Sequence, residues 1–240
     1  MRLDKFLCEC GVGSRSQVKS GIRKGEVSVN GVICKKPEQK VEPAADVVCY
    51  QGRELSYQEF EYYMLCKPGG CVCAAKDNLH DTIFSYLPMN AREDLFSVGR
   101  LDLDTEGLLL VTNDGDLAHR LLSPRHHVKK VYEAKVKGRL TDEDIKAFAA
   151  GLSIGEKRPT LPAELTILSA GEESFCRVVI SEGKYHQVKR MFLARGKEVL
   201  YLKRTAMGAF TLDPSLTPGQ YREFTKEEYA YVEKYKSGHL

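Results

Sequence analysis

The ten residues Val98–Gly107, VGRLDLDTEG, open directly onto the apolar run Leu108-Leu109-Leu110-Val111, so a charged loop must feed an apolar strand. Asp102 stands in that loop between Arg100 and Thr105. An aspartate so placed can hydrogen-bond its local backbone in a turn, or it can serve as a nucleophile. These ten residues leave both readings open for Asp102, with Asp104 a second turn residue in the first of them.

The chain has 240 residues, enough for one large domain or two smaller ones, and a chain of this size buries about 70% of its unfolded surface. Its formal charge of +3 says little about partners. Its distribution says more. Before residue 41 the basic residues are Arg2, Lys5, Arg15, Lys19, Arg23, Lys24, Lys35, Lys36 and Lys40, against the acids Asp4, Glu9, Glu26 and Glu38. Such a local excess can neutralise phosphates.

Eight cysteines in a chain this long, without a signal-peptide pattern, fit reduced thiols in the cytoplasm better than a disulfide scaffold. The closest pairs, Cys8/Cys10 and Cys71/Cys73, have one intervening residue, whereas structural zinc sites usually separate paired cysteines by two to four. No metal is expected. No apolar run approaches the ~20 residues of a membrane-spanning helix.

Local patterning divides the chain into residues 1–52, a polar linker at 53–58 and a larger region at 59–240. In the first, Leu3, Phe6, Leu7 and Cys10 recur at helical spacing and Gly11 to Gly13 end that helix. A second helix starts at the N-cap Ser14, with Val18 and Ile22 on its apolar face and Arg15, Lys19 and Arg23 four apart on one side. Glu26 to Cys34 then reads as a hairpin around an Asn30-Gly31 type I′ turn. In the larger region, strands are expected at 61–67, 107–112, 130–137, 163–168, 175–181 and 209–212, and helices at 116–122, 142–150 and 186–195. This is an α+β pattern with a mixed, largely antiparallel sheet flanked by helices.

Four ordered segments carry a family likeness. They are Lys67-Pro68-Gly69, the loop around Asp102, the strand Lys130 to Val136, and Glu182-Gly183-Lys184-Tyr185-His186-Gln187-Val188-Lys189-Arg190-Met191-Phe192, followed by Leu202-Lys203-Arg204 and Gly208. Together they resemble the pseudouridine synthases, and most of all the RsuA type that acts on small-subunit (16S) ribosomal RNA. The first 52 residues resemble an S4 RNA-binding domain.

The resemblance implies a cofactor-free isomerisation of uridine in ribosomal RNA. Breaking the C1′–N1 bond, turning the base and rejoining it through C5 needs a nucleophile near C1′ or C6, and Asp102 matches the family's catalytic aspartate. Lys189 matches the basic residue paired with it, which favours the ionised carboxylate. Tyr132 matches the tyrosine that stacks on the target base. Arg100, His186, Gln187 and Arg190 would line the cleft and contact RNA, and Arg2, Lys5, Arg15, Lys19, Arg23 and Lys24 would contact phosphates. Asp104 is expected to be structural, and the Lys67 segment to support the aspartate loop.

Rival readings are a synthase acting on large-subunit ribosomal RNA, a non-catalytic ribosome-assembly factor, and a carboxylate-dependent hydrolase. The last would want a second acid paired with Asp102, and no motif nominates one. The expected protein is a cytoplasmic monomer.

Overall fold

The computed structural model of this protein describes residues 1–89 and 91–236. They divide into two units, one of Met1–Glu61 with Pro88–Leu95, the other of Tyr62–Leu87 with Phe96 onward. The last four residues of the expected second domain lie outside the described residues.

In the first unit, α1 (Leu3–Glu9) and α2 (Arg15–Lys24) are followed by β1 (Val27–Val29), β2 (Val32–Ile33), β3 (Val48–Tyr50) and β4 (Arg53–Glu54), which pair antiparallel in the order β2-β1-β3-β4. α2 begins at Ser14, where a reciprocal capping box with Gln17 satisfies end groups, and stops at Gly25 in the left-handed conformation. Asn30 and Gly31 both have positive φ, 52° and 79°, as the hairpin turn demands. Leu3, Phe6, Leu7, Val18 and Ile22 form the buried core with Val27 and Val48. The stretch expected as a linker belongs to this unit instead. Arg53 and Glu54 pair with β3, and Tyr57 stacks on Phe6 with ring centroids 5.3 Å apart. Its polar letters concealed two partly buried residues, Leu55 and Tyr57, that cover the first core.

The second unit comprises β5 (Tyr62–Lys67), β6 (Phe96–Ser97), β7 (Glu106–Thr112), α3 (Gly115–Leu122), β8 (Lys130–Lys137), α4 (Asp142–Ala150), β9 (Glu164–Ser169), β10 (Glu173–Ile180), α5 (Gln187–Leu193), β11 (Glu198–Met207), β12 (Phe210–Thr211), β13 (Tyr221–Glu223) and α6 (Lys226–Lys236). Its nine-stranded sheet runs β13-β5-β7-β11-β8-β10-β9, with β6 beside β7 and β12 beside β11. β7 and β11 are parallel, and the other pairings among these strands are antiparallel. The fold is α+β with a mixed sheet, as the patterning implied.

β7 is buried along nearly its whole length, which is why its sequence is a continuous apolar run rather than an alternation. β8 alternates instead, and Lys130, Tyr132, Ala134 and Val136 share its buried face. α4 and α5 pack over that face, where the fully buried Phe148 and Phe192 meet with centroids 4.9 Å apart. Each such ring contributes about 1.5–3 kcal/mol by leaving water.

Two details set the site. Gly107 enters β7 with φ 102°, and a Cβ there would lie 2.2 Å from the Arg204 carbonyl oxygen across the parallel pairing. Only glycine fits. At the N-terminus of α4, the buried Asp144 accepts hydrogen bonds from Thr141 N (3.0 Å) and Arg195 Nε (2.9 Å), and Lys197 Nζ lies 3.7 Å away. This ties α4 to the residues just beyond α5.

Most element boundaries fall within two residues of expectation, with larger differences elsewhere. The longest strand, β11, was not expected, because shifts in pairing between Val199 and Tyr201 and between Arg204 and Ala206 break its alternation. Of the expected strand at 209–212 only Phe210–Thr211 pairs. α5 is shorter than 186–195, because His186 is its left-handed N-cap.

Gly107→Ala is expected to cost about 3 kcal/mol or more, read as a lowered urea midpoint, because both the positive φ and the Arg204 contact oppose a methyl group. Asp144 supplies a pH signature. Burial pushes its carboxyl up, but the bonds from Arg195 and Thr141 and the charge of Lys197 outweigh this and leave it below its ordinary value. Its stabilising contribution is therefore complete above the unfolded value near ~3.9 and is lost as pH falls through the lower folded value. Asp144→Asn should consequently flatten the fall in stability between about pH 5 and pH 2, measured by urea unfolding across that range.

Candidate active site

The loop between β6 and β7 ends in a tight turn in which Thr105 N donates to the Asp102 carbonyl at 3.1 Å. The turn is held from β5. Lys67, 0% exposed, donates from Nζ to the carbonyl oxygens of Pro68 (2.9 Å), Leu103 (3.3 Å) and Thr105 (3.0 Å). Three carbonyls match the three donors of an ammonium group, which is how this cation is tolerated without a carboxylate. Gly70 N adds a bond to Leu103 O at 2.8 Å. The Lys-Pro-Gly segment thus supports the aspartate loop, as expected.

The turn presents Asp102 to α5. Asp102 Oδ2 lies 3.5 Å from Lys189 Nζ, and Asp102 Oδ1 lies 3.5 Å from His186 Nε2. Lys189 also forms a hydrogen-bonded ion pair with Asp104. Burial raises the Asp104 carboxyl, but its hydrogen bond with Lys189 and the lysine's charge outweigh that and hold it below its ordinary value. Asp104 was expected to be merely structural, yet it shares the cation of Asp102. Its side chain is 73% exposed, so solvent screens that pair.

Asp102 borders a cleft of about 200 Å³ whose wall includes Tyr132, Arg100, Lys130 and Arg204. That is below the 300–1,000 Å³ of typical drug-sized ligand sites. Tyr132 lies on the buried face of β8, directly opposite Arg204 of β11. Arg100 is exposed at the cleft.

Two residues expected to contact RNA are hydrogen-bonded within the fold. Gln187 is 4% exposed, its Nε2 donates to Glu182 Oε1 (2.9 Å) and its Oε1 accepts from Lys184 N (2.9 Å). Its amide braces the start of α5. Arg190 donates to Glu156 Oε1 (2.9 Å), to the Tyr185 carbonyl (2.9 Å) and to the Ile154 carbonyl, so its guanidinium is committed to the fold. The partners of Gln187 lie within five residues of it, whereas Arg190 is held by Glu156 and Ile154, 34 and 36 residues away, which sequence alone does not reveal. His186 differs. It sits at φ 48° with its ring stacked on the exposed Tyr185, centroids 3.8 Å apart, and it faces Asp102.

In the first unit, Arg2 is paired with Asp4 (2.8 Å) and Lys5 lies 3.5 Å from Glu9. Arg15, Arg23 and Lys24 are exposed and Lys19 is half-buried. Lys130, Thr105 and Arg204 were given no role from sequence. For Lys130 the available signal was a cation at a strand position within an otherwise apolar-patterned face.

The geometry can be compared with known proteins. Residues 61–194 match the family model described as RNA pseudouridylate synthase, and residues 1–48 match the S4 domain. An uncharacterized RNA pseudouridine synthase of Bacillus subtilis, YtzG, is 46% identical over 95% of this chain and 96% of its own. Ribosomal small subunit pseudouridine synthase A of Escherichia coli K12 is 42% identical, covering 97% of this chain and all of that protein. A solved structure described as a pseudouridylate synthase superposes with a TM-score of 0.68 at 40% identity, covering 96% of this chain and 98% of that one.

Lys67→Met should orphan carbonyls of the aspartate turn. The expected outcome is a loss of about 2–4 kcal/mol in urea unfolding, together with faster amide exchange at Asp102 to Thr105.

Proposed function

Because this chain belongs to the RNA pseudouridylate synthase family, we propose that it converts a uridine of small-subunit ribosomal RNA to pseudouridine with Asp102 as the nucleophile. The observation that carries this reading is the Asp102 carboxylate at the edge of a small cleft, with Lys189 and His186 each 3.5 Å from its oxygens. The substrate assignment is supported by the names of relatives that align over almost their full length, from Escherichia coli and, at 43% identity, from Vibrio vulnificus.

A carboxylate that must attack carbon has to be ionised and aimed. Lys189 Nζ, 3.5 Å from Asp102 Oδ2, orients the carboxylate, and the turn clamped by Lys67 fixes the backbone from which Asp102 projects. The target base must leave its stack, at a cost of a few kcal/mol, before its glycosidic bond can reach the carboxylate. Tyr132 on the cleft wall would stack on that base, and its hydroxyl is the group suited to assist removal of the C5 proton. Arg100, at the cleft mouth, would take the phosphate next to the extruded nucleotide. In the S4 domain, Arg15, Lys19, Arg23 and Lys24 would contact phosphates elsewhere, contacts that position RNA without reading sequence. Arg2 and Lys5 would add to these only by leaving Asp4 and Glu9. No helix among the described residues is long and apolar enough to cross a membrane. A monomer acting on RNA in the cytoplasm fits this reading.

Asp102→Asn should lower turnover by about a thousandfold or more while leaving RNA binding nearly intact, whereas Asp104→Asn should stay within about fivefold of the parent. Carbodiimide mapping of pseudouridine supplies the readout, both for purified variants and for the two large ribosomal RNAs of cells lacking the protein. Loss of one site in the small-subunit RNA is the expected result. A loss confined to large-subunit RNA would overturn the substrate assignment, and an active Asp102→Asn protein would overturn the nucleophile.

A further inference from the structure

Thr105, Lys130 and Arg204 also line the cleft, and none of them is the nucleophile, its cationic partner or the base-stacking ring. Thr105 is 1% exposed and Arg204 2%. Among the described residues, Thr105 Oγ1 and Arg204 Nη2 are two buried side-chain polar atoms with no hydrogen-bond partner. Buried polar atoms are nearly always paired, so two orphans lining one cleft point to a ligand that completes them.

Both are held in place by the rest of the fold. Arg204 Nε donates to Leu108 O of β7 at 2.8 Å, which fixes one edge of the guanidinium. Thr105 is tied to Asp102 through the turn. Lys130 shares the buried face of β8 with Tyr132, and burial, followed by the charge of Arg204, pushes its ammonium below its ordinary value. Lys130 Nζ donates to Val128 O at 3.0 Å, neither Lys130 nor Arg204 has an ion-pair partner among the described residues, and this part of the lining calls for an oxygen that is anionic or becomes so.

Resting on the reading of the cleft as a uridine isomerase site, we propose that Arg204 Nη2 and Thr105 Oγ1 donate to the carbonyl oxygens of the target uracil and stabilise the negative charge they gain while the base is detached. When an Asp102 oxygen bonds to C1′, the C1′–N1 bond breaks and its electron pair stays on the uracil, spread over N1, O2 and O4. Attack at C6 instead sends the C5=C6 pair to O4 as an enolate. Donors fixed where charge develops stabilise the transition state more than the ground state. The geometry of the base adds a second reason. Turning uracil about its N3–C6 axis, which brings C5 to the place of N1, exchanges O2 with O4. One donor pair therefore holds a carbonyl oxygen before and after the turn. When C5 bonds to C1′, the Asp102–C1′ bond returns its pair to the carboxylate, the C5 proton leaves, and a proton is taken up at N1.

The test uses the full-length protein and an RNA fragment with uridine, 2-thiouridine or 4-thiouridine at the mapped target position, sulfur being a poorer acceptor than oxygen. Thr105→Val removes the orphan hydroxyl at nearly constant shape. It should unfold at the parental temperature or above, bind the uridine RNA within about threefold, and lose about tenfold or more in single-turnover rate. Thio substitution should slow the parent by a larger factor than it slows Thr105→Val. Arg204→Lys should show the same reduced sensitivity; if it fails to fold, Thr105→Val alone decides. A Thr105→Val rate within about twofold of the parent, or equal thio effects in both proteins, would overturn the assignment. Turnover by Asp102→Asn would instead overturn the reading on which it rests, so the two failures are distinguishable.

Discussion

The parallel pairing of β7 with β11 is the contact on which the rest of this structure depends. It places Gly107 against the backbone of Arg204, and no side chain fits between them. From that one register the arrangement follows. β7 begins where the aspartate turn ends, β11 carries Arg204, and β8 on the other side of β11 sets Tyr132 opposite it. Groups separated by up to about a hundred residues in sequence are thereby fixed on neighbouring strands of one rigid sheet, the kind of support that holds reacting groups in place better than loops do.

Electrostatics complete what the backbone begins. The site concentrates cations around few anions: Lys67 is bound by three backbone carbonyls, Lys189 is divided between Asp102 and Asp104, and Arg204 uses only part of its guanidinium on Leu108. Buried charge of this kind is poor for stability. Here it borders a cleft, and Arg195, just beyond α5, is anchored to Asp144 at the start of α4.

Much of this was legible in the sequence because the signals are local. The Asn30-Gly31 hairpin, the Ser14 cap, the alternation of β8 and the apolar run of β7 each follow from neighbours within a few residues, and the ordered motifs pointed to Asp102, Lys189 and Tyr132 before any geometry was known. What escaped was non-local. β11 hides its alternation behind two shifts in pairing, so Arg204 read as a motif tail rather than as a buried cation. Arg190 looked available for RNA, and only the folded chain brings Glu156 and Ile154, 34 and 36 residues away, to occupy it. Tyr57 looked like linker because its partner Phe6 lies at the far end of the first unit's sequence.

The clamp on the aspartate turn also bears on when the site comes into existence. Lys67 reaches its carbonyls across 36 and 38 residues, and the Arg204 bond to Leu108 spans 96. Contacts of that separation form only after much chain entropy has been surrendered. A nascent chain that has emerged through β7 possesses the whole VGRLDLDTEG segment and its Lys67 clamp, but not β11, the strand that pairs with the start of β7. The cleft is therefore completed late, when β11 takes its place between β7 and β8, and a partly synthesised chain can expose its basic first unit while Lys189 and Arg204 have yet to join the aspartate turn.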